Sequence, residues 1–444
     1  MNEYPTHVKH CLLVAISQIT ARKNEFVKRP GKDFSRNRKI SMERLIFFLV
    51  GAEASTMQFE LQKFSFLFPK NASGLPSCSA MFQQRSKVSR DAMPAVFSEF
   101  NRQFPPRLVN GLCLLAVDGT QINIAYDIKD KENHHFSHQW NVRGYNDLYA
   151  IALQDLGTQK FLDAVIQNGA AKNEHAALCE LVQRSSLPRE HTVLTADRGF
   201  ASFNFFLHAE RTGCHYVVRA NDAYVRNLLG TASLPNVMDT RITRYLTRSR
   251  ATGVRKHPDQ PECYRVIPSQ TTFDFLEPGA REELPVTLRI VRFQLKDGIF
   301  ENIITDLSVE EFPQERLMWI YRKRWGIETS FRNLKCVLSL EQFRSKKPEL
   351  ILQEIWARLI LYNFCMEITS QAKLPEKTRK YPHKLDIANA LRTCHDFLRR
   401  TPGHENDLNI MELIERAHSP VRPDRMAPRR VRPHFPKSFQ YRSS

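Results

Sequence analysis

Two short apolar runs in the middle of the chain each stop at an aspartate. Leu112-Cys113-Leu114-Leu115-Ala116-Val117 runs into Asp118-Gly119, and Thr192-Val193-Leu194-Thr195-Ala196 runs into Asp197. A short apolar run closed by a turn signal reads as a buried strand. Asp118-Gly119 is expected to turn the chain, with the alternating Gln121-Ile122-Asn123-Ile124-Ala125 as the paired return strand. Leu148–Leu156, Phe161–Gln167 and Tyr216–Arg219 read as further strands, and Glu174–Arg184 and Ser202–Arg211 as helices. Strands followed by strand–helix alternation imply a mixed α/β sheet. Side chains at strand ends reach the crevice in which such sheets build their sites. An aspartate before glycine is, however, more often a turn former or helix cap.

Around this centre the pattern changes. Residues 1–105 read as a helical region. It includes a first helix over Cys11–Ile16, a helix opened by Ser41 as N-cap before Met42–Leu49, and a helical stretch over Met81–Phe97. Residues 106–220 form the first part of the α/β core. Residues 221–300, rich in β-branched residues and prolines, read as an inserted antiparallel β unit that contains Tyr264–Ile267 and Val286–Ile290. Within 301–345, Asn302–Asp306 is a strand leading back to the core, and Pro313 opens one long helix to Val337. Residues 346–444 begin with the apolar helix Leu350–Thr369 and end in a Pro- and Arg-rich tail, Val421–Ser444.

The charge points to an acidic partner. Lys and Arg number 65 against 47 Asp and Glu, a formal +18. Such an excess opposes compaction, and neutralising phosphates releases counterions, so nucleic acid is the first candidate. Phe34–Lys39 and the tail residues Arg422, Arg425, Arg429, Arg430, Arg432, Lys437 and Arg442 are either DNA contacts or solvated basic segments. The nine cysteines contain no Cys-x-x-Cys pair, and Cys394-His395 stands alone. Neither a disulfide framework nor a zinc site is expected, which fits a reducing compartment. No apolar stretch reaches the ~18 residues of a membrane span, so a cytoplasmic protein is expected.

The helix after Pro313 carries the sharpest pattern. At about 100° per residue, Tyr321, Arg324, Glu328 and Lys335 fall near 0°, −60°, −20° and −40°, on one narrow stripe. Ile320, Ile327, Phe331 and Leu338 centre near about −100°, beside it, so the polar stripe borders the buried face. An Arg324–Glu328 pair at i,i+4 is ordinary. It leaves Tyr321 and Lys335 on the same line unexplained.

Asp118, Asp197 and Glu328 brought together would repel one another unless cations lay between them. Carboxylates and water suit Mg²⁺ or Mn²⁺, and two such ions can activate an attacking oxygen and stabilise a leaving one. Arg324 and Lys335 would then contact phosphate beside the scissile bond, and Tyr321 would bond a phosphate or stack on a base.

Tyr321-Arg322-Lys323-Arg324-Trp325-Gly326-Ile327-Glu328-Thr329-Ser330-Phe331-Arg332-Asn333-Leu334-Lys335 closely resembles the Tyr-x2-Arg-x3-Glu-x6-Lys signature of bacterial DDE transposases of the insertion-sequence-four family. Val117-Asp118-Gly119-Thr120 and Thr195-Ala196-Asp197-Arg198-Gly199-Phe200 resemble that family's first and second acid motifs. Pro436–Arg442 is similar to its usual ending. The resemblance implies an RNase H-like core with a β insertion between the second aspartate and the glutamate. It implies two Mg²⁺ or Mn²⁺ ions on Asp118, Asp197 and Glu328, and DNA contacts from Tyr321, Arg324, Lys335 and Arg198. It also implies double-stranded DNA as partner, namely the element's terminal inverted repeats and the target, bound by a homodimer. In hairpin-forming members a tryptophan of the insertion holds a flipped base. The corresponding stretch here carries Phe300 and no tryptophan, a departure from that subgroup.

The reading is therefore an insertion-sequence transposase that cuts at element ends by hydrolysis and joins the 3′-hydroxyl to target DNA by transesterification. The alternative is a catalytically silent or domesticated DNA-binding protein of transposase descent, against which all three acids stand. A host nuclease on the same core is a third reading, against which the Tyr-Arg-Glu-Lys helix stands.

Overall fold

The computed structural model describes residues 2–36, 38–68, 74–136, 144–184, 191–260, 262–296, 298–375, 380–401, 403–404, 406–421 and 440–441. The basic tail residues expected to touch DNA, and most of the closing motif Pro436–Arg442, lie outside the described residues.

The chain opens with five helices, α1 (Glu3–Ala21), α2 (Met42–Gly51), α3 (Met57–Lys63), α4 (Cys78–Arg85) and α5 (Ala92–Arg102). Ser41 caps α2 as expected, its hydroxyl accepting from Arg44 N at 3.2 Å. The expected helix over Met81–Phe97 is two helices, because the chain turns between α4 and α5.

The centre follows as β1 (Cys113–Ile124), β2 (His134–His135), β3 (Tyr145–Asp155), β4 (Phe161–Asn168), α6 (Glu174–Arg184), β5 (Thr192–Ala196), α7 (Phe203–Thr212) and β6 (His215–Ala220). Ser202 caps α7, and Gly213, at φ 69°, ends it in the left-handed region that glycine enters without cost. Next come α8 (Asp222–Leu229), β7 (Met238–Thr247), α9 (Arg250–Lys256), β8 (Tyr264–Val266), β9 (Glu283–Lys296) and β10 (Ile299–Thr305). The remaining elements are α10 (Gln314–Lys323), α11 (Trp325–Cys336), β11 (Gln342–Phe343), α12 (Pro348–Thr369), β12 (His383–Leu385), α13 (Ile387–Leu398), α14 (Ile410–Arg416), β13 (His418–Pro420) and β14 (Gln440–Tyr441).

One large mixed sheet runs in the order β2-β3-β1-β5-β6-β10-β9-β7-β8, with β4 on β3. Strands β1, β5 and β6 are mutually parallel, and β3 and β4 are antiparallel. The series β4-β3-β1-β5-β6 is the RNase H-like mixed core that the motifs imply. The β-rich stretch expected at 221–300 lies in the same sheet, with β7 and β9 antiparallel. Strands β9 and β7 continue the same sheet from β10, and β8 pairs parallel to β7.

A second difference concerns Asp118-Gly119. No turn forms there, and β1 runs straight through to Ile124, paired antiparallel with β3 from Leu115 to Ile124. Ladder bonds along that length keep the backbone extended and override the local turn tendency. Gly119 serves close approach instead: a Cβ there would lie 2.5 Å from the Tyr149 hydroxyl.

Alternation along the strands separates two faces. Leu112, Leu114, Val193, Val217, Val291 and Ile303 face α10 through Leu317, Ile320 and Tyr321. Cys113, Leu115, Val117, Leu194 and Val218 face α6 and α7. Beside the sheet, α12 is buried along almost its whole length and packs on α1, α2, α5 and α13. That explains why apolar residues occur on every side of it, with Gln353, Glu354, Arg358, Asn363 and Glu367 buried among them. Helices from both ends of the chain thus share one core, tied by an Arg85–Glu354 ion pair of 2.9 Å between buried groups.

Candidate active site

The parity of β1 puts Asp118 on the face of Leu114 and Ala116, toward α10 and α11. Strand β5 pairs with β1 only as far as Ala116–Thr195, and the Thr195 hydroxyl fixes that register by donating to Leu115 O at 2.8 Å. Beyond this point β1 continues alone on that side, which opens a crevice. Asp118 lines it from within a strand, and Asp197 follows the last residue of β5. Asp197 is thus at a strand end, as expected, whereas Asp118 is not.

The expected single helix is broken at Arg324, which ends α10 and begins α11. Arg324 N bonds Tyr321 O, and Ile327 N bonds Arg324 O, both at 3.0 Å and both i→i−3. The tightening coincides with Gly326, which lowers local helix propensity. The polar stripe still faces the sheet across this break. Tyr321 OH lies 3.4 Å from Asp197 Oδ1. Arg324 Nη2 donates to Glu328 Oε1 at 2.8 Å, and Arg324 Nη1 stands 3.8 Å from Asp118 Oδ2. Helix α11 is held to β3 by Gln154 Nε2 donating to Ser330 Oγ at 2.6 Å.

The electrostatics follow from burial among like charges. Burial pushes the Asp118 carboxyl up to about 6, with Glu328 and Asp197 adding to the rise against the Gly119 N–H and Arg324. Tyr321 is pushed up to about 12, first by burial, with Asp197 and Glu301 adding against Arg324 and Arg219. Burial opposes the Arg324 charge, but Tyr321, Glu328 and Asp118 outweigh it and raise its pKa.

Five of the residues singled out from sequence therefore meet in one crevice: Asp118, Asp197, Glu328, Tyr321 and Arg324. Lys335 stands at its margin, donating to Gln121 O at 2.6 Å and pairing with Glu341 at 3.0 Å. Arg198 is exposed on the single 3₁₀ turn after Asp197. Sequence reading missed two more charged groups. Glu301, buried on β10, pairs with Arg219 of β6 at 2.9 Å. Burial raises the Glu301 pKa, and the charge of Asp197 adds to that. An acid beside Phe300, Ile303 and Ile304 in a strand leading back to the core was the available signal.

The acids line the crevice without converging on one point. Among the described residues, no three His, Cys, Asp or Glu side chains stand as ready ligands of one ion. Arg324 lies between Asp118 and Glu328. The donor set nevertheless fits a hard divalent cation: three carboxylates offer oxygen ligands, and Asp118, whose pKa is raised mainly by burial and further by the charges of Glu328 and Asp197, would be relieved by a cation.

Comparison with known proteins agrees with the sequence motifs. Residues 110–364 match the family described as "Transposase DDE domain". The chain is 22% identical over 438 residues to transposase InsG for insertion sequence element IS4 of Escherichia coli (strain K12), covering 91% of this chain and 89% of that one. It is 40% identical over 58 residues to the transposase for insertion sequence element IS421 of Escherichia coli, covering 13% of this chain and 16% of the relative. Among solved structures, a piggyBac transposase synaptic complex with hairpin DNA is similar at a TM-score of 0.45 and 12% identity, over 92% of this chain and 81% of that one.

Proposed function

The chain belongs to the transposase DDE domain family, which matches more than half its length, and from that premise we propose that it is an insertion-sequence transposase cutting and joining DNA at the Asp118–Asp197–Glu328 crevice. The observation that carries this reading is the meeting of Asp118 and Glu328 around buried Arg324, with Asp197 against Tyr321 of the same helix pair.

Asp118, Asp197 and Glu328 would hold two divalent ions, Mg²⁺ or Mn²⁺. Such ions, when bound, supply an activated attacking oxygen and charge stabilisation for the leaving oxygen. The protein's own groups do the rest. Tyr321 and Arg324 present a hydroxyl and a guanidinium on the helix face turned to the crevice, where they orient a scissile phosphate. Arg324 keeps its charge despite burial, so a phosphate entering the crevice meets a fixed cation. Lys335 and Arg198 flank the acids and contact the strand on either side.

The double-stranded substrate is the element's terminal repeats followed by target DNA, bound by a homodimer. Helical region 1–105 and region 346–444 with its basic tail supply further DNA contacts, and the latter region also supplies the dimer interface. The formal charge of +18 suits such a partner. No helix among the described residues is long and apolar enough to cross a membrane.

The test is incubation of the protein and Mg²⁺ with the DNA flanking its gene, followed by sequencing of the products. Cuts at the two element ends, with 3′-hydroxyls joined to a second duplex, are expected. A protein that binds those ends yet never cuts them would instead be a DNA-binding descendant of a transposase.

A further inference from the structure

The β insertion holds the entry to the helix pair that carries Tyr321, Arg324 and Glu328. Arg289 of β9 is 1% exposed. Its Nη1 donates to three carbonyls, Leu307 O at 3.2 Å and Ser308 O and Phe312 O at 2.8 Å. All three belong to the short connection between β10 and α10. Its Nε and Nη2 donate to Asp239 Oδ1 and Oδ2 at 2.8 and 2.7 Å, a two-pronged bond to β7. The guanidinium therefore spans two insertion strands and the turn that launches α10.

The connection is pinned from the other side too. Asp306 accepts from Tyr216 N at 3.0 Å and bonds His215 Nδ1 at 2.7 Å, both on β6. Phe312 N closes the turn on Ser308 O at 3.2 Å, so Arg289 grips both ends of that turn. The helix itself lacks the usual means of fixing its start. Pro313 stands at the N-cap, where no side chain makes a capping bond. The axial position of α10 is then set by the turn before it and by Phe312, Leu317 and Ile320 in the core. Glu328 is sixteen residues past Phe312, on the helix that follows α10 directly at Arg324.

We propose that Arg289, braced by Asp239, is a positioning residue for the reaction, through which the β insertion sets where Tyr321, Arg324 and Glu328 stand relative to Asp118 and Asp197. This rests on the reading of Glu328 as a metal ligand. A buried arginine serving stability alone would lower the melting temperature and leave the site unchanged. A positioning residue changes the site in molecules that remain folded, and misplacement by about 1 Å costs on the order of 100-fold in rate.

The test compares Arg289→Lys, Asp239→Asn and the double variant with the parent, each well below its own melting temperature. Three quantities are read: Mn²⁺ affinity by paramagnetic resonance titration, affinity for a duplex carrying the element end, and single-turnover cleavage of that duplex. Arg289→Lys is expected to weaken Mn²⁺ binding several-fold and slow cleavage about 10- to 100-fold, with end affinity held within about two-fold. Asp239→Asn is expected to move both in the same direction by less, and the double variant to match Arg289→Lys alone. Asp239→Asn, on a part-exposed carboxylate, carries the test if Arg289→Lys does not fold. Parental Mn²⁺ affinity and cleavage in folded variants, or additive losses in the double variant, would overturn the proposal. Glu328→Gln is the control for the underlying reading. If it leaves Mn²⁺ binding intact, the metal assignment has failed; if it abolishes binding while the Arg289 variants bind normally, the positioning role has failed.

Discussion

Arg324 donates to Glu328 Oε1 at 2.8 Å from the residue at which the helix breaks. The same guanidinium lies 3.8 Å from Asp118 Oδ2, so one buried cation serves an acid on the helix and an acid on the sheet. On the proposed function, replacing it would remove a phosphate contact as well. Arg324→Gln and, separately, Lys335→Ala should each weaken DNA binding across sequences and lower the slope of log K against log salt by about 1. Filter-binding titrations from low to moderate salt measure it, and an unchanged slope would remove either residue from the phosphate contacts.

Asp118 should make stability fall with rising pH. Burial lifts its folded-state pKa from 3.8 to about 6, so between these values the folded protein holds more protons than the unfolded chain. Stability from this group is therefore lost as pH rises through that window, and the penalty is complete above about 6. Asp118→Asn should then stabilise the protein in EDTA at pH 7 by on the order of 2–3 kcal/mol, with the gain vanishing near pH 4. Thermal melts at the two pH values check this. A gain that does not depend on pH would exclude the ionised carboxylate as its source.

Gly119 admits the Tyr149 side chain. A Cβ added at Gly119, beside Asp118 on β1, would stand 2.5–2.8 Å from three atoms of Tyr149 on β3. Gly119→Ala should destabilise by about 1–3 kcal/mol, as overpacking does, and a companion Tyr149→Leu should recover much of the loss. Urea unfolding of the single and double variants gives the coupling. Full additivity would mean the two residues do not compete for the same space.

Of this site, the acids and the helix stripe were legible in the sequence because each rests on a short-range pattern. Apolar runs stop at Asp118 and Asp197, and a 3.6-residue period aligns Tyr321, Arg324 and Glu328. The long-range pairings were not legible. Asp118-Gly119 carries a strong local turn signal, and only the ladder with β3 keeps it extended. The stretch 221–300 shows strand alternation, but nothing in it reveals that β9 and β7 continue the core sheet. Glu301 and Arg219 meet across β10 and β6, residues 82 positions apart, and Arg289 grips carbonyls that carry no side-chain signature.

The helices from the two chain ends are joined by buried charge. Glu354 accepts from Arg85 Nη2 at 2.9 Å and from Arg344 N at 3.1 Å. Glu354→Gln should cost about 3–5 kcal/mol, because it leaves Arg85 buried without a counter-charge. Chemical denaturation measures it. A cost below about 1 kcal/mol would mean that water or another acid takes over.

Asp118, Asp197 and Glu328 are proposed to form one metal-dependent cutting site. Single-turnover cleavage of a duplex carrying the element end, in Mg²⁺, tests it most directly with Asp118→Asn, Asp197→Asn and Glu328→Gln beside the parent. Each variant should lose more than about 1,000-fold in cleavage while still retarding the duplex in a gel. Cleavage at the parental rate by any one of the three would show that these acids do not form the cutting site.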